Sequence, residues 1–166
     1  MSAASTDEVM SRYQLPDEPR PGRLERLVTD PIWPLFATML AGSWLGLSWF
    51  AFNAFALGSA TRWRELAWAV AGAVGAAALL VAALILVNRA IVPPWAGHYL
   101  GLLPITWKLG VSYGLLTSQR RAFALWQHYG GQARRGVVVL VAGIFLGRQL
   151  GAGLHGWAGF AWLVLR

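Results

Sequence analysis

The acidic residues of this sequence are confined to its first part, and this limits the chemistry available to it. Glu65 is the last acid, and the 101 residues that follow contain eight basic side chains but no Asp or Glu. Paired carboxylates, Asp-rich metal motifs and a Ser-His-Asp triad all need acids that this part of the chain lacks. Coupling to protons or sodium ions also usually relies on buried acids. The sequence therefore favours a protein that is neither an enzyme nor a cation-coupled transporter.

Two basic residues fall inside apolar segments. A charged side chain at the centre of a bilayer costs about 3 kcal/mol, so Lys108 and Arg148 are candidates for contact with an anionic substrate or a lipid phosphate. Arg148 could instead extend to the membrane interface, since the segment around it is rich in glycine. The other side chains that we expect at anionic headgroups are Arg120, Arg121, Arg134 and Arg135.

Histidine is the remaining residue type that could bind a metal or a cofactor. Two helix histidines can hold a haem, which makes His98 and His155 the candidates, while His128 lies in a polar segment. No spacing supports such a site, and no acid follows in sequence to orient the imidazoles. There is no cysteine, which excludes disulfides, thiolate metal sites and a cysteine nucleophile. We therefore predict that the chain binds neither a cofactor nor a metal.

The composition indicates which solvent surrounds these residues. The chain is 57% hydrophobic and 13% charged, whereas a soluble domain is about 25% charged. A water-soluble fold of 166 residues could not bury so much apolar surface. The net charge of +7 comes from basic residues that flank apolar runs, so anionic lipid is a simpler partner than nucleic acid. We predict an all-α, integral membrane helical bundle.

Hydropathy divides the chain into a tail and a membrane domain. Residues 1–30 are polar and contain Pro16, Pro19 and Pro21, so we expect a disordered tail before a membrane domain at 31–166. Four transmembrane helices are predicted at about 33–57, 66–88, 95–117 and 136–165, with residues 62–65 as a short charged loop. A basic segment, 118–135, should lie among the lipid headgroups. In the alternative, 95–117 is an interfacial or re-entrant helix and only three helices span.

The arginines do not choose between these topologies. With four spans they divide five against six between the two sides, and with three spans they divide eight against three. We favour four spans with the N-terminus in the cytoplasm, because a tail with four arginines is a poor candidate for export. Thirteen arginines against one lysine, with abundant Ala and Gly, suggest a bacterial source and hence the inner membrane.

Glycine and tryptophan spacing suggests how the helices pack. Small residues four apart let two helices approach closely, and the last segment has Gly143, Gly147, Gly151 and Gly159 in this register. Ala71 and Gly75 offer a counterpart in the second span. Trp33, Trp63, Trp68 and Trp95 fall near predicted span ends, as in an interfacial aromatic belt. Deeper tryptophans, including Trp49 and Trp107, could line a pocket or simply pack.

The order of these features resembles a loose class of small bacterial multi-pass membrane proteins without assigned function. The resemblance covers about residues 35–147. It is carried by Gly42, Gly46, Asn53, Arg62, Gln119, His128, Gly130 and Gly131. It implies a four-span fold and no particular activity or site.

These observations favour a non-enzymatic membrane protein that acts through helix packing, as a structural, assembly or accessory subunit. Its expected partners are membrane lipids and other membrane helices, in a homo-oligomer or a hetero-complex. The alternative is a small oligomeric transporter or channel for an anionic or lipidic molecule, built around Lys108 and Arg148. A haem or pigment binder using His98 or His155 is a third possibility.

Overall fold

The computed structural model describes residues 24–153, and this part of the chain is all-α, as predicted. A short 3₁₀ turn, Glu25–Leu27, precedes the first helix. The α-helices that follow are α1 (Ile32–Leu40), α2 (Ser43–Ala56), α3 (Arg62–Asn88), α4 (Pro94–Leu100), α5 (Leu102–His128) and α6 (Val137–Gly153). Between residues 24 and 153 there is no β-strand, only an isolated bridge between Thr29 and Arg134.

The first apolar segment is a helical hairpin, so the prediction of one continuous helix at 33–57 is wrong. The chain reverses at Gly42, whose φ of 107° and ψ of 167° lie in a region that essentially only glycine adopts. The Gly42 backbone N–H donates to the carbonyl of Ala37, which closes the end of α1. At Gly46 a Cβ atom would lie 2.5 Å from the backbone nitrogen of Thr38, so the two helices are in close contact.

The hairpin is too short to cross a bilayer. At about 1.5 Å per residue, α1 is about 14 Å long and α2 about 21 Å, whereas the hydrocarbon core is about 30 Å thick. The residues at the bend, Ala41 to Ser43, are buried. Non-helical backbone at membrane depth is tolerated only when other parts of the protein cover it. The geometry is therefore a helical hairpin, and not the single long helix that a span at 33–57 requires.

The longest helices, α3 and α5, pack side by side and antiparallel. Gly72 on α3 lies against Val111, and Gly75 lies against Trp107. The Trp107 indole N–H donates to the Gly72 carbonyl over 3.2 Å. A core of Leu47, Phe50, Ala69, Val111, Leu115 and Leu116 joins this pair to the hairpin. The small side chains on α3 allow this close approach, and Gly75 meets α5 rather than the glycine-rich last segment for which it was the predicted counterpart.

Helix α5 crosses the predicted boundary between the span 95–117 and the interfacial segment 118–135. It runs without a break from Leu102 to His128, so most of the predicted interfacial segment 118–135 continues the same helix. A separate helix, α4, covers the start of the predicted span 95–117. Gly130, with φ of 90°, follows the end of α5, as the Gly130–Gly131 pair suggests. Helix α6 then occupies 137–153 of the predicted span 136–165, and the rest lies outside the described residues.

Part of the predicted disordered tail is ordered. Val28 and Thr29 are buried, and the Val28 carbonyl accepts a hydrogen bond of 2.9 Å from the Arg134 backbone N–H. Val28 also packs with Leu57, Phe123 and Trp126. Residues 24–30 are ordered because the apolar side chain of Val28 is buried between the end of α2 and α5. Residues 1–23 lie outside the described part of the chain.

Candidate functional site

The fold collects most of the described arginines at one end of the bundle, which we call the basic end. Four segments meet there: residues 24–30, the turn before α3, the C-terminal half of α5 and the start of α6. Val28 and Glu65 both contact α5, and the Val28 carbonyl accepts a hydrogen bond from Arg134, just before α6. The basic end carries Arg26, Arg62, Arg64, Arg120, Arg121, Arg134 and Arg135, all of them exposed. Arg89 lies at the far end of α3, 27 residues away along the helix from Arg62.

A network of buried amides crosses the bundle at this end. Asn53 and Gln119 are completely buried, and the Asn53 Nδ2 donates to Gln119 Oε1 over 3.2 Å. Gln119 Nε2 donates to the Phe50 carbonyl over 2.7 Å. The Thr29 backbone N–H donates to Asn53 Oδ1 over 3.1 Å, and the Trp49 indole N–H donates to Thr29 Oγ1 over 3.1 Å. These amides connect α2 with α5 and with Thr29, in the segment before α1. They therefore fix how these helices are arranged.

Glu65, which the sequence did not single out as a site residue, lies at the same end of the bundle. It lies in the first turn of α3 rather than in a loop, and its side chain is 1% exposed. Its Oε1 accepts hydrogen bonds from Ser59 Oγ at 2.9 Å, from Thr61 Oγ1 at 2.6 Å and from Ser118 Oγ at 3.4 Å. Oε2 is buried and has no hydrogen-bond partner among the described residues. A carboxyl group in the first turn also suits the positive end of the helix dipole.

Beside Glu65 lies a cleft of about 570 Å³, between the turn that precedes α3 and the outer part of α5. Two arginines, Arg64 and Arg121, line it. Its hydroxyl groups come from Ser59, Thr61, Thr117 and Ser118, and its apolar wall from Ala60, Ala122 and Leu125. We call this the arginine–hydroxyl cleft. Of the four arginines predicted to meet headgroups, Arg121 lines the cleft, and Arg120, Arg134 and Arg135 are exposed near it.

Lys108 and Arg148 lie in different surroundings. Lys108 is buried on α5, next to a cavity of about 250 Å³ that Thr38, Met39, Ile105 and Leu109 also line. Arg148 is exposed on α6, which packs against α1. A single path lined by both residues has no support in this arrangement.

The remaining predicted residues divide between packing positions and positions that are not described. Gly143 lies against Leu45 of α2, and Gly147 is buried. Gly151 lies in the last turn of α6, two residues before its end at Gly153. His98 belongs to α4, although its side chain is not described, and His155 and Gly159 fall outside the described residues. Between residues 24 and 153, no group of three His, Asp or Glu side chains could hold a metal.

No protein-family model, no curated protein and no solved structure matches this chain. The site must therefore be interpreted from its own residues.

The signal for the Glu65 cluster was only partly visible in the sequence. Ser59, Thr61 and Glu65 are close enough in sequence to form a local cap at the start of α3. Ser118 and Arg121 come from more than 50 residues further along, and only the antiparallel pairing of α3 with α5 brings them there. The amides of Asn53 and Gln119 stood out in the resemblance, but their contact could not be inferred from it.

Proposed function

We propose that this chain is an integral membrane protein that acts without catalysis, as a structural, assembly or accessory subunit of a larger membrane complex. The observation that carries the proposal is the environment of α3. Among the described residues it is the one helix long and apolar enough to cross a membrane by length and composition. Only 17% of its most apolar stretch is buried within the protein. The core helix of a soluble protein would be mostly buried, so lipid is the natural environment for this surface.

A second apolar surface, on α6, supports the role in a complex. Val138 is 72% exposed, and its neighbours Val137, Val139, Val141, Phe145 and Leu146 are exposed as well. Contiguous apolar surface of this kind normally meets lipid or another protein. Gly143, on the opposite side, already packs against Leu45 within the chain. The valine-rich surface of α6 is therefore available for a membrane helix of another subunit.

The re-entrant hairpin bears on orientation. A hairpin that enters and leaves from the same side returns residues 24–30 and the turn 57–61 to one side of the bilayer, together with the other arginines of the basic end. The seven arginines there face Arg89 at the opposite end. Under the positive-inside rule this favours a cytoplasmic basic end in a bacterial inner membrane. Four separate spans would divide the arginines almost evenly between the two sides, whereas the hairpin topology puts most of the described ones on one side.

The membrane part of this proposal is tested by extraction of cell membranes at alkaline pH. We expect the chain to stay in the membrane pellet, and release into the supernatant would contradict the proposal. Val74 is 62% exposed near the middle of α3. Val74→Arg should make the free energy of membrane insertion less favourable by about 3 kcal/mol. Arg62→Gln, at the basic end, is the matched control and should insert normally.

The role as a subunit is tested by photo-crosslinking from α6. A photoreactive residue at Val138 should give one discrete protein adduct in native membranes, whereas the same residue at Val74 should react with lipid. An adduct only with a second copy of the chain would instead favour the transporter or channel. The buried Lys108 beside its cavity is the observation that supports that alternative.

A further inference from the structure

The arginine–hydroxyl cleft has a composition that specifies the chemistry of a ligand. Its volume of about 570 Å³ falls within the range of small-molecule sites. Guanidinium groups bind phosphate through planar, charge-assisted hydrogen bonds, and Arg64 and Arg121 approach the cleft from two different helices. Two such groups at one cleft indicate an anionic group, and phosphate is the anion that they match best.

The hydroxyl groups of the cleft impose a second requirement. A serine or threonine hydroxyl has one proton to donate. Thr61 and Ser118 donate theirs to Glu65 Oε1. Ser59 lies 2.9 Å from the same oxygen, and Thr117 Oγ1 donates to the Gly114 carbonyl over 2.8 Å. With their protons engaged by the protein, these oxygens can only accept hydrogen bonds from a ligand.

Glu65 adds a preference for charge. Its carboxyl group accepts hydrogen bonds from Ser59 and Thr61, which line the cleft, and it is almost completely buried, so water screens it weakly. The polar lining of the cleft therefore combines two cationic arginines with hydroxyl oxygens, three of which are hydrogen-bonded to a buried carboxyl group. A ligand that complements both kinds of group carries a phosphate and, a few atoms away, a hydrogen-bond donor.

The position of the cleft agrees with a ligand from the membrane surface. Arg64 precedes the apolar run of α3, and the exposed Trp63 and Trp68 mark the same level, where aromatic residues meet headgroups. Leu125 and Ala122 supply an apolar wall next to Arg121. The cleft is thus placed where a headgroup and the start of its acyl chains would meet it.

We propose that the arginine–hydroxyl cleft binds a phosphate diester whose free end carries a hydrogen-bond donor, as in a phosphoethanolamine or phosphoglycerol headgroup. Phosphoethanolamine fits better, because its ammonium group faces the oxygens in front of Glu65. Phosphocholine has a phosphate but no donor, so it should bind more weakly. A membrane lipid as the source rests on the proposed membrane location, whereas the chemistry of the cleft does not.

The test measures binding of defined lipids to the full chain in detergent. Phosphatidylethanolamine, phosphatidylglycerol and phosphatidylcholine are titrated, and bound lipid is counted by native mass spectrometry. We expect one tightly bound phosphatidylethanolamine and at least about tenfold weaker phosphatidylcholine, since one charge-assisted or ionic hydrogen bond is lost. Equal binding of the three lipids would overturn the proposed donor requirement.

Matched variants locate the site. The double variant Arg64→Gln, Arg121→Gln should weaken binding by at least about tenfold, because the phosphate loses both guanidinium partners. The control is Arg62→Gln, Arg120→Gln, which removes the same charge from neighbouring residues that do not line the cleft. Equal loss in both double variants would show general attraction of anions and would overturn the site. Glu65→Gln should reduce the preference for phosphatidylethanolamine over phosphatidylglycerol.

The source of the ligand is resolved by a soluble analogue, glycerophosphoethanolamine. Saturable binding of this compound that depends on Arg64 and Arg121 supports the cleft chemistry, and equal affinity for lipid and analogue assigns the ligand to a soluble ester. Tighter binding of the lipid assigns it to the membrane. Binding of neither compound overturns the proposal, even if the chain is extracted as a membrane protein.

Discussion

The basic end of the α3–α5 pair and its apolar remainder are held together by different interactions. At the basic end Glu65 and Ser118 are joined by a hydrogen bond, and next to them the buried amides of Asn53 and Gln119 cross to α2. Further along the same helices, contact depends on small residues, with Gly72 against Val111 and Gly75 against Trp107. Beyond that, the exposed side chains of α3 are apolar as far as Val87.

This difference is informative about how such a bundle is specified. In lipid, apolar contact between helices gives little driving force, because acyl chains are as apolar as leucine. Close packing and buried hydrogen bonds must therefore fix which helices meet and in which register. The described part of the chain places its amide network between α2 and α5, and the exposed surface of α3 beyond Gly75 consists mostly of apolar side chains.

The largest effect is expected at the hairpin. In Gly46→Ala the new methyl group would meet the backbone of Thr38, which lies 2.5 Å away at its nitrogen and 2.7 Å away at its Cα. Since a backbone atom cannot move aside without separating α1 from α2, we expect destabilisation by about 3 kcal/mol or more. Thermal unfolding in detergent measures it.

The control for this prediction is Gly110→Ala on α5, where a Cβ atom meets nothing within 4 Å. This change should be neutral or stabilising by about 0.5–1 kcal/mol, because alanine favours the helix. Equal destabilisation by both changes would contradict the close contact in the hairpin.

The next largest effect is expected in the amide network. Gln119→Leu removes the acceptor of Asn53 Nδ2 and the donor to the Phe50 carbonyl, and leaves both groups buried. Unsatisfied buried groups cost about 1–3 kcal/mol, so we expect a loss of that size in unfolding free energy. Gln127→Leu, at an exposed position of the same helix, should change stability little.

A double variant sharpens the comparison. Asn53→Leu combined with Gln119→Leu should lose less unfolding free energy than the sum of the two single changes. Each single change leaves the other amide buried without its partner, and the double change removes both amides together. Strict additivity would mean that the two amides do not act as a pair.

The smallest effect is expected on the exposed apolar surface of α3. Val81→Ala removes two methyl groups from an exposed side chain, and we expect less than about 0.5 kcal/mol in detergent. A loss as large as that of Gln119→Leu would show that this surface is buried against another subunit in the purified protein.

The sequence predicted some of these elements much better than others. The α3 helix was visible because it is an uninterrupted apolar run longer than a bilayer needs, and the structure begins it only four residues earlier, at Arg62. The hairpin was missed because the length of an apolar run does not show whether the chain reverses within it. A single torsion angle at Gly42 reverses the chain inside a run that contains no charge.

The site was the harder part to predict. Glu65 follows Arg62 and Arg64 in sequence, and such a cluster of charges is typical of an exposed loop. Its burial depends on Ser118, which reaches it only after α5 has packed against α3. Arg121 could be predicted as a residue for headgroups from its charge, whereas its pairing with Arg64 across one cleft is a property of the tertiary fold.

The proposed topology makes 33–57 a re-entrant hairpin, and labelling of single cysteines tests this topology most directly. The native chain has no cysteine, so Leu27→Cys, Ala60→Cys and Ile91→Cys each report one exposed position. In intact cells a membrane-impermeant maleimide should label Ile91→Cys alone, and Leu27→Cys and Ala60→Cys only after the membrane is opened. Labelling of Leu27→Cys and Ala60→Cys from opposite faces would contradict the hairpin, because a single spanning helix must separate them.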